Sequence, residues 1–218
     1  IILGIGGLGG IHMKNFSNHL PTIQTFLKKG AYTTEARNIA PTVSAPNWAA
    51  YLTSMGATQT GVYDKDWTPM YGDPPGNEEN LPPISGRGLP KTLFSIVKDK
   101  DPNAKTVLSF TMEWFLQLAK HVSDIDYWFW GHEGITCGKK ESESDCSNRQ
   151  DWNTMNKTVE AIKKDQPTLT FIQFDAVDQA GHKSYWGSPL YYKMVKEKDK
   201  QIACILDALA ATKTSSGK

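Results

Sequence analysis

Two short segments of this 218-residue chain carry chemically useful residue types at close spacing. In Asp178-Gln179-Ala180-Gly181-His182, a carboxylate and an imidazole stand four residues apart, just past a buried-strand pattern. Such a pair can aim oxygen and nitrogen at one cation, and zinc, a borderline acid, accepts that mixture. Asp175 is a neighbouring carboxylate suited to supporting them. The plainer alternative is a turn-capping Asp178 and a surface His182. In Pro41-Thr42-Val43-Ser44-Ala45-Pro46-Asn47, Ser44 stands at the entrance of a helix with Pro46 in its first turn. A hydroxyl there faces unpaired backbone N–H groups and the positive end of the helix dipole. That setting stabilises a phosphate or the anion of an activated hydroxyl. A simple helix cap is the competing reading of Ser44.

A third segment invites a different chemistry. Gly4-Ile5-Gly6-Gly7-Leu8-Gly9 matches G-x-G-x-x-G directly after a strand, as in dinucleotide-binding folds, with Glu35 as a late candidate for the ribose acid. That reading wants a helix opening at the third glycine. The residues that follow, His12 to Asn18, are mostly poor helix formers, so the dinucleotide reading is kept only as an alternative. Tyr185 and Trp186, after the Asp178–His182 segment, suit either stacking on a nucleoside base or covering the rim of a site.

These segments need elements to hold them. Ile1–Ile5 reads as a buried strand and Pro21–Lys29 as a helix, with Pro in its first turn and Gly30 as its stop. Ala31–Ile39 reads as extended, and Asn47–Met55 as a short helix closing at Gly56. A long loop or small insertion is expected over 58–90, rich in Gly, Pro, Asn and Asp. Helix, strand, helix and strand follow at Lys91–Lys98, Lys105–Phe110, Met112–Lys120 and Ile125–Trp130. A polar loop is expected over about 131–150. Trp152–Lys164 reads as a helix and Thr168–Phe174 as the clearest strand, rich in β-branched and aromatic residues. Pro189–Leu209 closes the pattern with Ile202, Ile205, Leu206 and Leu209 at helical spacing. The alternation predicts one α/β domain over 1–218: a doubly wound, mostly parallel sheet with helices on both faces. Sites in such sheets form at the carboxyl ends of strands, where Gly6–Gly10, Pro41–Asn47 and Asp175–His182 are all expected as loops.

Bulk properties exclude several classes. Hydrophobic residues are 39% and charged residues 22% of the chain, which suits a folded domain. No apolar run approaches the roughly 20 residues of a bilayer span. A net charge of +1 gives no electrostatic case for nucleic acid. Cys137 and Cys146 flank an acidic loop at a spacing that suits a small disulfide ring, and Cys204 falls in a helical pattern. Asn15 and Asn156 open N-glycosylation triplets. Together these favour a secreted, cell-surface or secretory-lumen setting. Both ends read as cut: the first strand begins abruptly, and the far end tails off in Thr, Ser, Gly and Lys.

The order Gly4–Gly9, Ala36-Arg37, Pro41–Trp48, Gly61-Val62 and Asp178–His182 resembles the alkaline phosphatase superfamily, closest to its type I phosphodiesterase/nucleotide pyrophosphatase branch. The resemblance implies a doubly wound α/β fold, two zinc ions, and a Ser or Thr that attacks phosphorus to form a covalent intermediate. It places Ser44 at the nucleophile and Asp178 and His182 at two ligands of one zinc. It also exposes departures. Gly6 stands where the family has a metal-binding Asp, and Lys65 where many members have an Asn that contacts the phosphoryl group. The remaining Asp and His ligands would lie after Leu209, so the domain is expected to be truncated on its C-terminal side.

Two donors leave a zinc two short of its usual four. The expectation is therefore a phosphodiesterase-like protein with weak metal binding and impaired or absent catalysis. Its ligand, if active, is a phosphoester or nucleotide-like small molecule. The alternative is a non-catalytic binding or structural protein of a secreted or surface assembly, with protein partners. Gly6 discriminates between a hydrolase fragment whose missing part supplies the remaining ligands and a descendant that now serves in binding or structure, because truncation does not remove an internal ligand.

Overall fold

A computed structural model describes residues 1–67 and 89–212. The elements run β1 (Ile2–Ile5), α1 (Gly10–Phe16), a 3-10 turn (Ser17–His19), α2 (Pro21–Lys29), α3 (Ser44–Thr53) and α4 (Ala57–Thr60). Then come α5 (Leu93–Lys100), β2 (Thr106–Phe110), α6 (Phe115–His121) and β3 (Tyr127–Trp130). The last are α7 (Glu143–Asp165), β4 (Leu169–Phe174), α8 (Ala176–Ser184) and α9 (Pro189–Ala211). The chain divides into two compact units. One comprises Ile1–Ala36, Val107–Glu113 and the residues from Tyr127 onward; the other comprises Arg37–Thr106 and Trp114–Asp126.

The first unit carries a four-stranded parallel sheet in the order β1-β4-β2-β3. β1 runs parallel to β4, with Ile2 opposite Phe171 and Ile5 opposite Phe174. β2 runs parallel to β3, with Val107 opposite Tyr127. The inner strands, LTFIQF and TVLSF, are buried at every residue. Parallel strands covered on both faces need such near-continuous apolar runs. Gln173 of β4 is polar and put to use: its side-chain oxygen accepts the N–H groups of Thr111 and Met112, which ties the end of β2 to β4. Helices pack about this sheet. Met155 and Ile162 of α7 and Ile205 and Ala208 of α9 meet Ile172 and Phe174 in one core cluster. Ala176, Val177 and Ala180 of α8 join Tyr191, Met194 and Val195 of α9 and Leu20 in another.

The second unit is organised by α3, whose Ala45, Ala49 and Leu52 are buried. Trp48 packs on Phe115, and Trp67 on Trp114. Thr92 caps α5 by accepting from the Ser95 N–H, and the Ser95 hydroxyl donates to Asp124.

Several expectations change. The stretch after Gly9 forms α1, because Met13 and Phe16 pack against the Leu20–Tyr191 cluster and tertiary contact outweighs weak propensity. Ala31–Ile39 forms no strand. The polar segment before Arg149 becomes helical from Glu143, so the loop is shorter than expected. Asp178 and His182 lie on α8 instead of on a loop. Of the long loop expected over 58–90, residues 68–88 lie outside the described residues.

Candidate functional site

In the first unit, β4 ends at Phe174 and α8 begins two residues later. The turn between them is fixed by a side chain from α7. Asp151 accepts hydrogen bonds from the backbone N–H groups of Asp175 (2.9 Å) and Ala176 (3.0 Å). A carboxylate there satisfies donors that a helix start leaves open and complements the helix dipole. Lys198 of α9 pairs with Asp151, both side chains being almost fully enclosed, and also donates to Asn148 at 3.2 Å. Burial pulls the Lys198 ammonium below its ordinary value, and the Asp151 charge opposes that pull.

Asp178 and His182 face each other one turn apart on α8, with Nε2 and Oδ2 3.4 Å apart. Asp178 is largely covered while His182 is exposed. Burial pushes the Asp178 carboxyl upward, against the pull of His182. Asp175 is pushed up to about 6 by burial, with the Asp151 and Asp178 charges adding and the Gln179 hydrogen bond opposing.

The glycine loop after β1 lies directly against this helix turn. Gly6 donates to Phe174 O at 2.9 Å. A Cβ at Gly6 would lie 3.4 Å from Asp178 Cβ and 3.6 Å from Asp175 Oδ1. Gly7, at φ +72°, comes closer still: a Cβ there would fall 2.7 Å from Asp178 Cα, so only glycine fits. The buried Tyr191 holds this loop, its hydroxyl accepting from Gly9 N–H (3.1 Å) and donating to Gly7 O (2.9 Å).

The structure thus brings Asp178, His182 and the position of Gly6 together. It supplies no third donor: among the described residues no group of three His, Cys, Asp or Glu side chains is arranged to hold a metal ion. The described histidine rings outside α8 are engaged elsewhere. His12 packs on Tyr191, His19 on Phe16, and His132 stacks on Trp130 at 4.6 Å. The usual four donors of a zinc are not gathered among the described residues.

Ser44 and Lys65 belong to the second unit. Ser44 is the first residue of the ten-residue α3, after Val43 in the capping position, and makes no side-chain cap. It is exposed. The loop before it is held by Asn47, whose side-chain oxygen accepts from Ile39 N–H at 2.8 Å. The Asn47 amide nitrogen faces the carbonyls of Ile39, Pro41 and Val43 at 3.3, 3.0 and 2.8 Å. Lys65 is exposed beside an Asx turn in which Asp64 accepts from Asp66 N–H. Cys137 and Cys146 are joined by a disulfide, and Cys204 is free. Asn15 and Asn156 are exposed, on α1 and α7.

A sequence model of the type I phosphodiesterase/nucleotide pyrophosphatase family matches residues 1–217. The chain belongs to that family. Among solved structures, phosphonoacetate hydrolase from Sinorhizobium meliloti 1021, in complex with phosphonoformate, is similar over 95% of this chain and 52% of its own. That likeness has 13% identity and a TM-score of 0.68. Murine ectonucleotide pyrophosphatase/phosphodiesterase 5 is similar over 96% of this chain and 52% of its own, at 14% identity and a TM-score of 0.63. An inactive variant of that murine protein, in complex with AMP, gives a TM-score of 0.62. At such identities the likeness is one of fold. The chain spans about half the length of these structures. No curated sequence matches it. Among the described residues no helix is long and apolar enough to cross a membrane.

Asn47, Asp151, Lys198 and Tyr191 were not singled out by the sequence. Asn47 had one visible signal, an Asn three residues into a helix that follows a Pro-bounded loop. The other three act across 24 to 184 residues of sequence, and no local pattern marks them.

Proposed function

We propose that this phosphodiesterase-family chain has impaired or absent catalysis with the donors it carries, and that Ser44 keeps the nucleophile's place. The observation that carries this reading is Gly6. It lies at the end of β1, within side-chain reach of Asp178, and offers no ligand atom. In the family reading, zinc would supply charge neutralisation at phosphorus and activation of the serine; two donors are too few to retain it. Ser44 stands exposed at the positive end of α3, where a hydroxyl's anion is favoured. Lys65 offers a point charge to a phosphoryl group in place of a neutral amide. The ligand class this reading implies is a phosphoester or nucleotide-like small molecule.

The glycine loop argues against a dinucleotide. Gly9 N–H, which would face a pyrophosphate, is taken by Tyr191. The Cys137–Cys146 disulfide and the exposed Asn15 and Asn156 favour a second reading, a secreted or surface binding protein built on this fold.

The test is zinc content by elemental analysis of protein purified without chelator, with hydrolysis of bis(p-nitrophenyl) phosphate by wild type and Ser44→Ala. Trace zinc and equal, background turnover are expected. A full zinc complement with turnover lost in Ser44→Ala would overturn the impaired catalysis and leave Ser44 as the nucleophile; turnover unchanged in Ser44→Ala at full zinc would overturn both.

A further inference from the structure

The chain folds back on α8 just after it ends. Tyr185 closes the helix at φ +65° and ψ 152°, a region that residues with side chains avoid unless their surroundings impose it. Its own ring does not impose it, being 70% exposed. The next residue does. Trp186 lies back along α8 with its indole on Gly181, where a Cβ would fall 2.6 Å from Cε2 and 2.7 Å from Nε1. The same indole meets the His182 ring edge to face, with centroids 5.0 Å apart and planes at 72°, a favourable aromatic geometry. On the far side of the turn, a Cβ at Gly187 would lie 2.8 Å from His12 Cε1. His12 in turn packs on Tyr191, the residue that holds the glycine loop.

We propose that Trp186 is the positioning residue of His182. Its indole fills the space over Gly181 and fixes the imidazole on the side of α8 that faces Asp178. Glycine in a helix interior is unfavourable relative to alanine. A methyl group at Gly181 would expel the indole, and the strained backbone of Tyr185 is the turn that delivers it. The inference concerns only the orientation of the imidazole, so it stands whether or not the chain turns over a phosphoester.

The test uses the full chain with Trp186→Ala, Trp186→Phe, Gly181→Ala and the Gly181→Ala/Trp186→Ala double variant. Thermal unfolding is combined with NMR of the His182 imidazole, assigned by its loss in His182→Asn. Trp186 is partly exposed, so its truncation leaves a folded protein to examine. Gly181→Ala should lower the unfolding midpoint when Trp186 is present and raise it when residue 186 is alanine. In wild type the His182 ring protons should show contacts to the indole and a ring-current shift. Both should vanish in Trp186→Ala and in Gly181→Ala, while Trp186→Phe keeps part of the shift and the other histidines stay fixed. If Gly181→Ala lowers the midpoint equally in both backgrounds, Gly181 does not serve the indole and the proposal fails. It fails equally if Trp186→Ala lowers the midpoint but leaves the His182 resonances in place, because that is a purely structural role.

Discussion

Gly6→Asp adds a third side-chain donor beside Asp178 and His182, and the structure sets both its cost and its gain. The new Cβ meets Asp178 Cβ and Phe174 O at 3.4 Å, an ordinary contact that needs little backbone adjustment. The electrostatic cost is larger. The new carboxylate lands within roughly 5 Å of Asp175 and Asp178, and one like-charge pair at that separation costs about 3 kcal/mol at an effective dielectric near 20. With two such pairs, the variant without metal at pH 8 should be less stable than wild type by up to ~6 kcal/mol. With Asp178, His182 and a new Asp, a cation gains a third donor. Zinc at one hundred times its dissociation constant should return about 2.7 kcal/mol. The assay is thermal unfolding with and without zinc, run beside Gly6→Asn, which matches the shape without the charge. Expected is a zinc-dependent rise in midpoint in Gly6→Asp alone. A rise of the same size in wild type or Gly6→Asn, or none in Gly6→Asp, refutes the placement of this loop against Asp178.

Two further predictions rest on single side chains. Asn47→Ala removes the contacts that hold residues 39–43 ahead of Ser44. Urea unfolding should show a loss of ~2–4 kcal/mol; a change under 1 kcal/mol would mean the loop holds itself. Asp175 has a folded value of about 6 against 3.8 for the free carboxyl, so the folded state binds its proton more tightly. Its contribution is then best below about pH 4 and falls as pH rises to about 6, where the deficit reaches ~3 kcal/mol. Asp175→Asn should match wild type near pH 4 and exceed it at pH 8, as chemical denaturation at the two pH values would show; equal stability at pH 8 would contradict it.

What was legible in the sequence depended on whether an element's buried face is apolar. β4 and α2 could be read because β-branched and aromatic runs, Pro at a helix start and Gly at its stop are local signals. The first two turns of α7 could not, because what they bury is Ser144, Cys146, Ser147, Gln150 and Asp151, which shows no apolar period. The sequence of α8 reads as a loop because of Gly181, whose open face is covered by an indole five residues later. Asp178 and His182 were visible as a pair because i, i+4 spacing serves a helix and a ligand pair alike. Their support was not, since Asp151 meets Lys198 across 47 residues.

The division of labour between Asp151 and Lys198 on one side and Asp178 and His182 on the other has a consequence for how such a protein can change. The residues that set the start of α8 are enclosed in the interior; of the two donors, His182 is exposed and Asp178 is largely covered beside it. Substitution of a donor therefore leaves the mount standing, whereas substitution of the mount strands a buried charge and costs ~3–5 kcal/mol. A lineage built this way can lose its reactivity by single steps without losing its shape. The shaped surface that remains is then free to be selected for recognition alone.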